Sequence, residues 1–213
     1  VAARDFEGAV LWEINNSDRG GGAPTIADFD GDGEPEVGVA SSRFYRVYNG
    51  DNGGLIWQQP IEDYSSSRTA ASVFDFEGDG SAEVVYADEQ TLWVFDGATG
   101  TVELEWDSHS SGTVCEYPVI VDIDNDGSSE IIVASTDMYW GASNGITVIG
   151  DLDESWAPAR SIWNQHAYSI SNVNDDGTIP STLPRNWRHR NNFRAGNSET
   201  RVGFEQFDLM VGE

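Results

Sequence analysis

Three nine-residue stretches hold most of the side chains in this chain that could do chemistry. They are Asp28-Phe29-Asp30-Gly31-Asp32-Gly33-Glu34-Pro35-Glu36, Asp75-Phe76-Glu77-Gly78-Asp79-Gly80-Ser81-Ala82-Glu83 and Asp122-Ile123-Asp124-Asn125-Asp126-Gly127-Ser128-Ser129-Glu130. Each reads carboxylate, x, carboxylate, x, Asp, Gly, x, x, Glu. Carboxylates packed this closely repel one another unless a cation lies between them, and oxygen ligands at alternate positions describe a hard cation. In a tight loop, side chains 1, 3 and 5 point to one centre, glycine at 6 permits the reversal, the carbonyl of 7 adds an oxygen and the glutamate at 9 closes the shell. Calcium is the expected ion. Magnesium fits less well because it prefers octahedral sites that retain several waters. A solvated acidic turn is the bland alternative, and three matched copies argue against it.

Such loops must be positioned by strands. The residues around the third loop run apolar and β-branched, Pro118-Val119-Ile120-Val121 before it and Ile131-Ile132-Val133-Ala134 after it, so the loop joins two strands and needs no helix. The loops begin at 28, 75 and 122, a period of 47. Tyr45-Arg46-Val47-Tyr48-Asn49-Gly50 and Leu92-Trp93-Val94-Phe95-Asp96-Gly97 keep the same step, each followed by a strand that ends in Trp. Four short antiparallel strands per unit of this length is the signature of a propeller blade. The expected fold class is therefore all-β, with three complete four-stranded blades and an atypical C-terminal cap forming an open or partial propeller. The repeat domain should span 1–157, with blades at about 22–58, 69–107 and 115–157, preceded by a lone strand at 6–13. Trp12, Trp57, Trp106 and Trp156 should recur at one structural place, as packing between blades rather than as sugar-stacking platforms.

Residues 158–213 form the expected cap or connection. Asn172-Val173-Asn174-Asp175-Asp176-Gly177-Thr178-Ile179-Pro180 looks like a fourth, weaker acidic loop, with Asn172, Asn174 and Asp176 as its ligands and an Asx-rich turn as the alternative. Residues 204–211 alternate as a final strand.

The 213 residues carry a formal net charge of -26. Residues 1–157 hold 31 acids against 5 arginines and 158–213 hold 6 against 6, so the whole excess lies in the repeats. That field disfavours nucleic acid and anionic lipid. No stretch of about 18 apolar residues exists to span a membrane. The first residue is Val with no signal-like segment after it, so the chain is expected to begin after processing or inside a longer protein. Cys115 is the sole cysteine, which excludes an internal disulfide and reads as core packing. Loops that bind calcium weakly fill at the millimolar levels found outside cells, so the expected location is extracellular or at the cell surface.

Over residues 22–157 the chain resembles the FG-GAP family of calcium-binding repeats, found in integrin α-subunit propellers and in large secreted bacterial surface proteins. The resemblance implies three calcium sites: Asp28, Asp30, Asp32, the carbonyl of Glu34 and Glu36; Asp75, Glu77, Asp79, the carbonyl of Ser81 and Glu83; and Asp122, Asp124, Asp126, the carbonyl of Ser128 and Glu130. Glu77 departs from the usual Asp. The turn Asp96-Gly97-Ala98-Thr99-Gly100 with Trp106 is also similar to quinoprotein-type repeats, but no cofactor ligands accompany it. The family implies a non-enzymatic structural or adhesive module of a surface or filament protein. Its partners would be a neighbouring domain or identical subunits joined head-to-tail by strand addition, with a glycan or other surface ligand as a further possibility. A polysaccharide-binding lectin is one alternative. A calcium-dependent polysaccharide lyase is the other, and it would need His166 or His189 as base and Arg185 or Arg188 for the substrate carboxylate.

Overall fold

The computed structural model describes residues 1–15, 18–114, 116–139, 143–186 and 190–196. Cys115, His189, Arg188 and the expected strand at 204–211 lie outside them. All regular structure among the described residues is β. A hairpin of β1 (Ala2–Arg4) and β2 (Val10–Glu13) opens the chain, so the strand expected alone at 6–13 has an antiparallel partner. The first four-stranded sheet follows, with β3 (Thr25–Ala27), β4 (Glu36–Ala40), β5 (Phe44–Asn49) and β6 (Leu55–Pro60) in spatial order. The second repeats it with β7 (Ser72–Phe74), β8 (Glu83–Ala87), β9 (Leu92–Phe95) and β10 (Val102–Trp106). The third has β11 (Val119–Val121), β12 (Glu130–Ser135) and β13 (Gly145–Gly150).

The third sheet is one strand short of the expected four among the described residues. The local chemistry explains where the chain goes instead. The Asp151 carboxylate accepts bonds from the Ser155 N–H and hydroxyl at 2.8 and 2.7 Å, and Glu154 takes a left-handed φ of 52°, so the chain turns back. The Ala157 N–H then donates to the Phe76 carbonyl at 2.6 Å, which anchors the chain against the second acidic loop.

Two apolar layers lie between the sheets. Phe29, Tyr45, Val47 and Trp57 from the first meet Val73, Val84, Tyr86 and Phe95 from the second. Phe74, Val85, Leu92 and Val94 meet Ile120, Ile131 and Val133 of the third. Alternate residues of β8 therefore enter opposite layers, and the strand is buried throughout, as its continuous run Val84-Val85-Tyr86-Ala87 requires.

Tryptophan clasps join consecutive units. The Trp12 indole donates to the Gly50 carbonyl at 2.6 Å and the Trp57 indole to the Gly97 carbonyl at 2.6 Å. Each ring lies under a left-handed glycine, Gly53 or Gly100, where a Cβ would fall 2.7 or 2.6 Å from it. Both indoles are buried, which leaves them no face for a sugar. The other two tryptophans are placed differently. Val47 pairs with Trp57 and the equivalent Val94 with Leu104, so Leu104 holds the repeat position and Trp106 lies two residues beyond it. Trp156 follows the third sheet and packs on Phe76 with ring centroids 4.6 Å apart.

Residues 157–186 and 190–196 make contacts at the first strands of the second and third sheets. Phe193 forms a bridge with Val73 through backbone bonds of 3.0 and 3.2 Å. The Arg160 guanidinium ties this segment together, with bonds to Asp175 Oδ1 at 2.9 and 2.6 Å and to the carbonyls of Ile170 and Val173 at 2.8 and 3.0 Å.

Candidate metal centres

All three acidic loops connect the first strand of a sheet to the second and repeat one set of bonds. The position-1 carboxylate folds back over its own loop. Asp28 accepts from the N–H groups of Asp32 at 3.1 Å and Gly33 at 2.9 Å. Asp75 accepts from Gly78, Asp79 and Gly80 at 2.6, 3.0 and 2.9 Å. Asp122 accepts from Asn125 and Gly127 at 2.6 and 3.2 Å. The position-5 carboxylates Asp32, Asp79 and Asp126 each accept the N–H of residue 7, namely Glu34, Ser81 and Ser128, at 2.8, 2.9 and 2.8 Å. The closing glutamates Glu36, Glu83 and Glu130 reach back to the N–H of residue 2 at 2.9, 2.8 and 2.9 Å.

This backbone path needs two left-handed residues. The glycine at position 6, expected from the sequence, has φ of 91°, 99° and 93° at Gly33, Gly80 and Gly127. Position 4 is also left-handed, at Gly31, Gly78 and Asn125 with φ of 73°, 70° and 64°. The sequence carried a signal for this, since glycine and asparagine are the residues that enter this region most readily.

Carboxylate oxygens converge in each loop, within 4.8 Å of one another, from Asp28, Asp30 and Asp32, from Asp75, Glu77 and Glu83, and from Asp122, Asp124 and Glu130. Positions 1 and 3 are thus gathered in every loop, joined by position 5 in the first and position 9 in the other two. Glu36, Asp79 and Asp126 are held in the same loops by the backbone bonds described above. Glu34 is exposed, whereas the Ser81 hydroxyl donates to the Phe29 carbonyl of the first loop at 2.7 Å and so ties two loops together. The Ser128 hydroxyl is buried and has no hydrogen-bond partner.

The electrostatics favour a cation. Burial, and then the neighbouring charges of Asp30, Asp28 and Asp32, push Glu36 up to about 7 against the bond from Phe29. Burial likewise raises Asp28, Asp75, Glu83 and Glu130 above the usual carboxylate range, with nearby carboxylates adding to the effect. A divalent ion among these oxygens would reverse those shifts. An all-oxygen donor set of this kind could hold a hard divalent cation.

The fourth loop differs. Asn172 is engaged with the Ser169 N–H and the Ala167 carbonyl at 3.1 and 2.7 Å, and Asn174 with the Thr178 hydroxyl at 2.9 Å. Asp176 accepts from the Thr178 N–H and hydroxyl at 3.0 and 2.6 Å. These bonds close an Asx-type turn. His166, raised in the sequence as a base, stacks edge-on against Tyr117 with centroids 4.9 Å apart, and Arg185 is exposed.

Strand-joining acidic loops on blade-like sheets define a β-propeller-type repeat protein. The FG-GAP-like repeat pattern matches residues 28–86 and again 75–133, and this part of the chain belongs to that family. No curated protein matches the sequence. The chain is similar to the crystal structure of the V. cholerae biofilm matrix protein Bap1, with a TM-score of 0.70 and 29% identity over 79% of this chain. It spans 28% of the length of the Bap1 chain.

Proposed function

We propose that this chain is a calcium-stiffened structural module of an extracellular surface or matrix protein. The observation that carries the reading is the threefold recurrence of one loop geometry that crowds carboxylate oxygens within 4.8 Å at the junction of two strands. The FG-GAP-like match and the similarity to a biofilm matrix protein support the extracellular, non-enzymatic assignment. When bound, calcium would supply the positive charge that lets these carboxylates stay ionised and near one another. Asp28, Asp30 and Asp32, with their counterparts in the other loops, would hold it.

The test is thermal unfolding with and without calcium. At a free concentration about 100 times the dissociation constant, each site adds about 2.7 kcal/mol if the unfolded chain does not bind. Excess chelator should therefore lower the melting temperature by many degrees, and an unchanged melt would overturn the reading.

The proposed partner is an identical subunit or a neighbouring module joined by strand addition. The outer edge of β13 supports this, because no described strand pairs with it and Ile146 on that strand is 75% exposed.

A further inference from the structure

The first strands of the sheets, β3, β7 and β11, are edges that leave one row of backbone groups without a ladder partner, and here residues 157–186 and 190–196 supply several partners at or next to them. The most specific contact is made by Asn191. Its side-chain oxygen accepts the Asp28 N–H at 2.8 Å, while its amide nitrogen donates to the Asp28 carbonyl at 2.6 Å and to the Gly80 carbonyl at 3.2 Å. One amide therefore does for Asp28 what a neighbouring strand would do, pairing with both of its backbone groups. It also reaches position 6 of the second loop. Two residues on, Phe193 pairs with Val73 through both of its backbone groups. Gly196 accepts the Arg160 N–H at 2.8 Å, and the Arg160 carbonyl in turn accepts the N–H of Asp122.

We propose that Asn191 is a positioning residue for the first two metal loops, and that calcium loading of those loops is coupled to docking of the 190–196 strap. The proposal rests on the calcium reading above. Asp28 is the first ligand of its loop, and its side chain can face the other carboxylates only while its backbone is held in the orientation that Asn191 fixes. An empty first loop is driven apart by the repulsion of its carboxylates, which moves the backbone away from Asn191; a filled one holds it in place. Coupling of this kind is reciprocal, so whatever releases the strap must weaken calcium binding, and whatever removes calcium must loosen the strap. The third loop is the comparison for the Asn191 amide itself, because the strap reaches its first ligand only through Gly196 and Arg160 and not through Asn191.

The experiment uses the full chain with calcium chloride as the probe, and follows the amide resonances of Gly33, Gly80 and Gly127, one in each loop. In Asn191→Ala the calcium midpoints reported by Gly33 and Gly80 should rise about tenfold, as expected for loss of one well-made hydrogen-bonded contact, with that of Gly127 unchanged. Asn191→Leu has a similar size but neither donates nor accepts, and should lose as much, which separates hydrogen bonding from packing. In the unmutated protein, hydrogen exchange at Val73 and Phe193 should accelerate on chelation, and this holds the proposal to account even where a variant fails to fold. Unchanged Gly33 and Gly80 midpoints in Asn191→Ala, or exchange at Phe193 indifferent to chelation, would overturn the coupling and leave the calcium reading standing. Flat titrations at all three glycines in the unmutated protein would overturn both.

Discussion

Asp75 and Asp124 belong to the same nine-residue pattern, yet their surroundings predict different responses to mutation. Asp75 is buried and caps three N–H groups of its loop, whereas Asp124 is exposed and accepts one, from Asp126 at 3.2 Å. Asp75→Ala should destabilise the metal-free protein by about 1–3 kcal/mol through the orphaned donors, and Asp124→Ala should leave it nearly unchanged. Both should lose calcium at their own loop, and chelator melts of the two variants separate the effects. Glu36 sets a pH dependence. Its folded pKa is raised from 4.5 to about 7, so the metal-free native state holds the proton more tightly than the unfolded chain does. Its contribution to metal-free stability is complete below the unfolded value and is lost as pH rises through the folded one. Calcium needs the ionised form, so affinity at the first loop should rise over the same window. Calorimetric titration at about pH 5.5 and 8 checks this, and equal affinities would contradict the burial of Glu36 as the cause. The clustering of these carboxylates was legible in the sequence because each loop's geometry is local, complete within nine positions. Asn191 was not, because its partner Asp28 lies 163 residues away and nothing in a lone asparagine announces a backbone clamp.

The strands were legible for a similar reason, since a period of 47 repeats both the loops and the turns. The tryptophans misled where register overrode appearance. Trp106 is the conspicuous residue of β10, but pairing with β9 gives the repeat position to Leu104. Trp156 lies beyond a turn that the Asp151 carboxylate closes, and composition alone does not reveal where that turn sends the chain. The clasps allow a comparison of glycines. Gly33 and Gly100 are both left-handed, but a Cβ at Gly33 meets nothing within 4 Å while one at Gly100 falls 2.6 Å from the Trp57 ring. Gly33→Ala should cost only the backbone term, about 1–2 kcal/mol. Gly100→Ala should add about 1–3 kcal/mol of overpacking. Denaturant melts in chelator measure both, and equal losses would mean that the indole moves aside freely.

Across the whole molecule, charge and pairing are distributed unevenly. The acid excess lies in residues 1–157, and the β13 edge, Gly145-Ile146-Thr147-Val148-Ile149-Gly150, carries no charge to discourage another strand. If that edge takes part in assembly, Val148→Lys should lower the native mass measured by light scattering, and the parent's mass should also fall at high salt if charge draws the copies together. A parent that is a monomer at every salt concentration would refute the assembly proposal. The clasps have a mechanical consequence. Trp12 and Trp57 both reach forward along the chain, from the last strand of one unit to the turn of the next, so tension applied between the two ends passes through them one after the other. The first clasp's tryptophan belongs to a two-stranded hairpin, whereas the second clasp joins two four-stranded sheets, of which the one that accepts it is flanked on both sides. Stretched as a single molecule, the chain should therefore yield in order, with the N-terminal hairpin peeling off at low force and the doubly covered second sheet resisting longest.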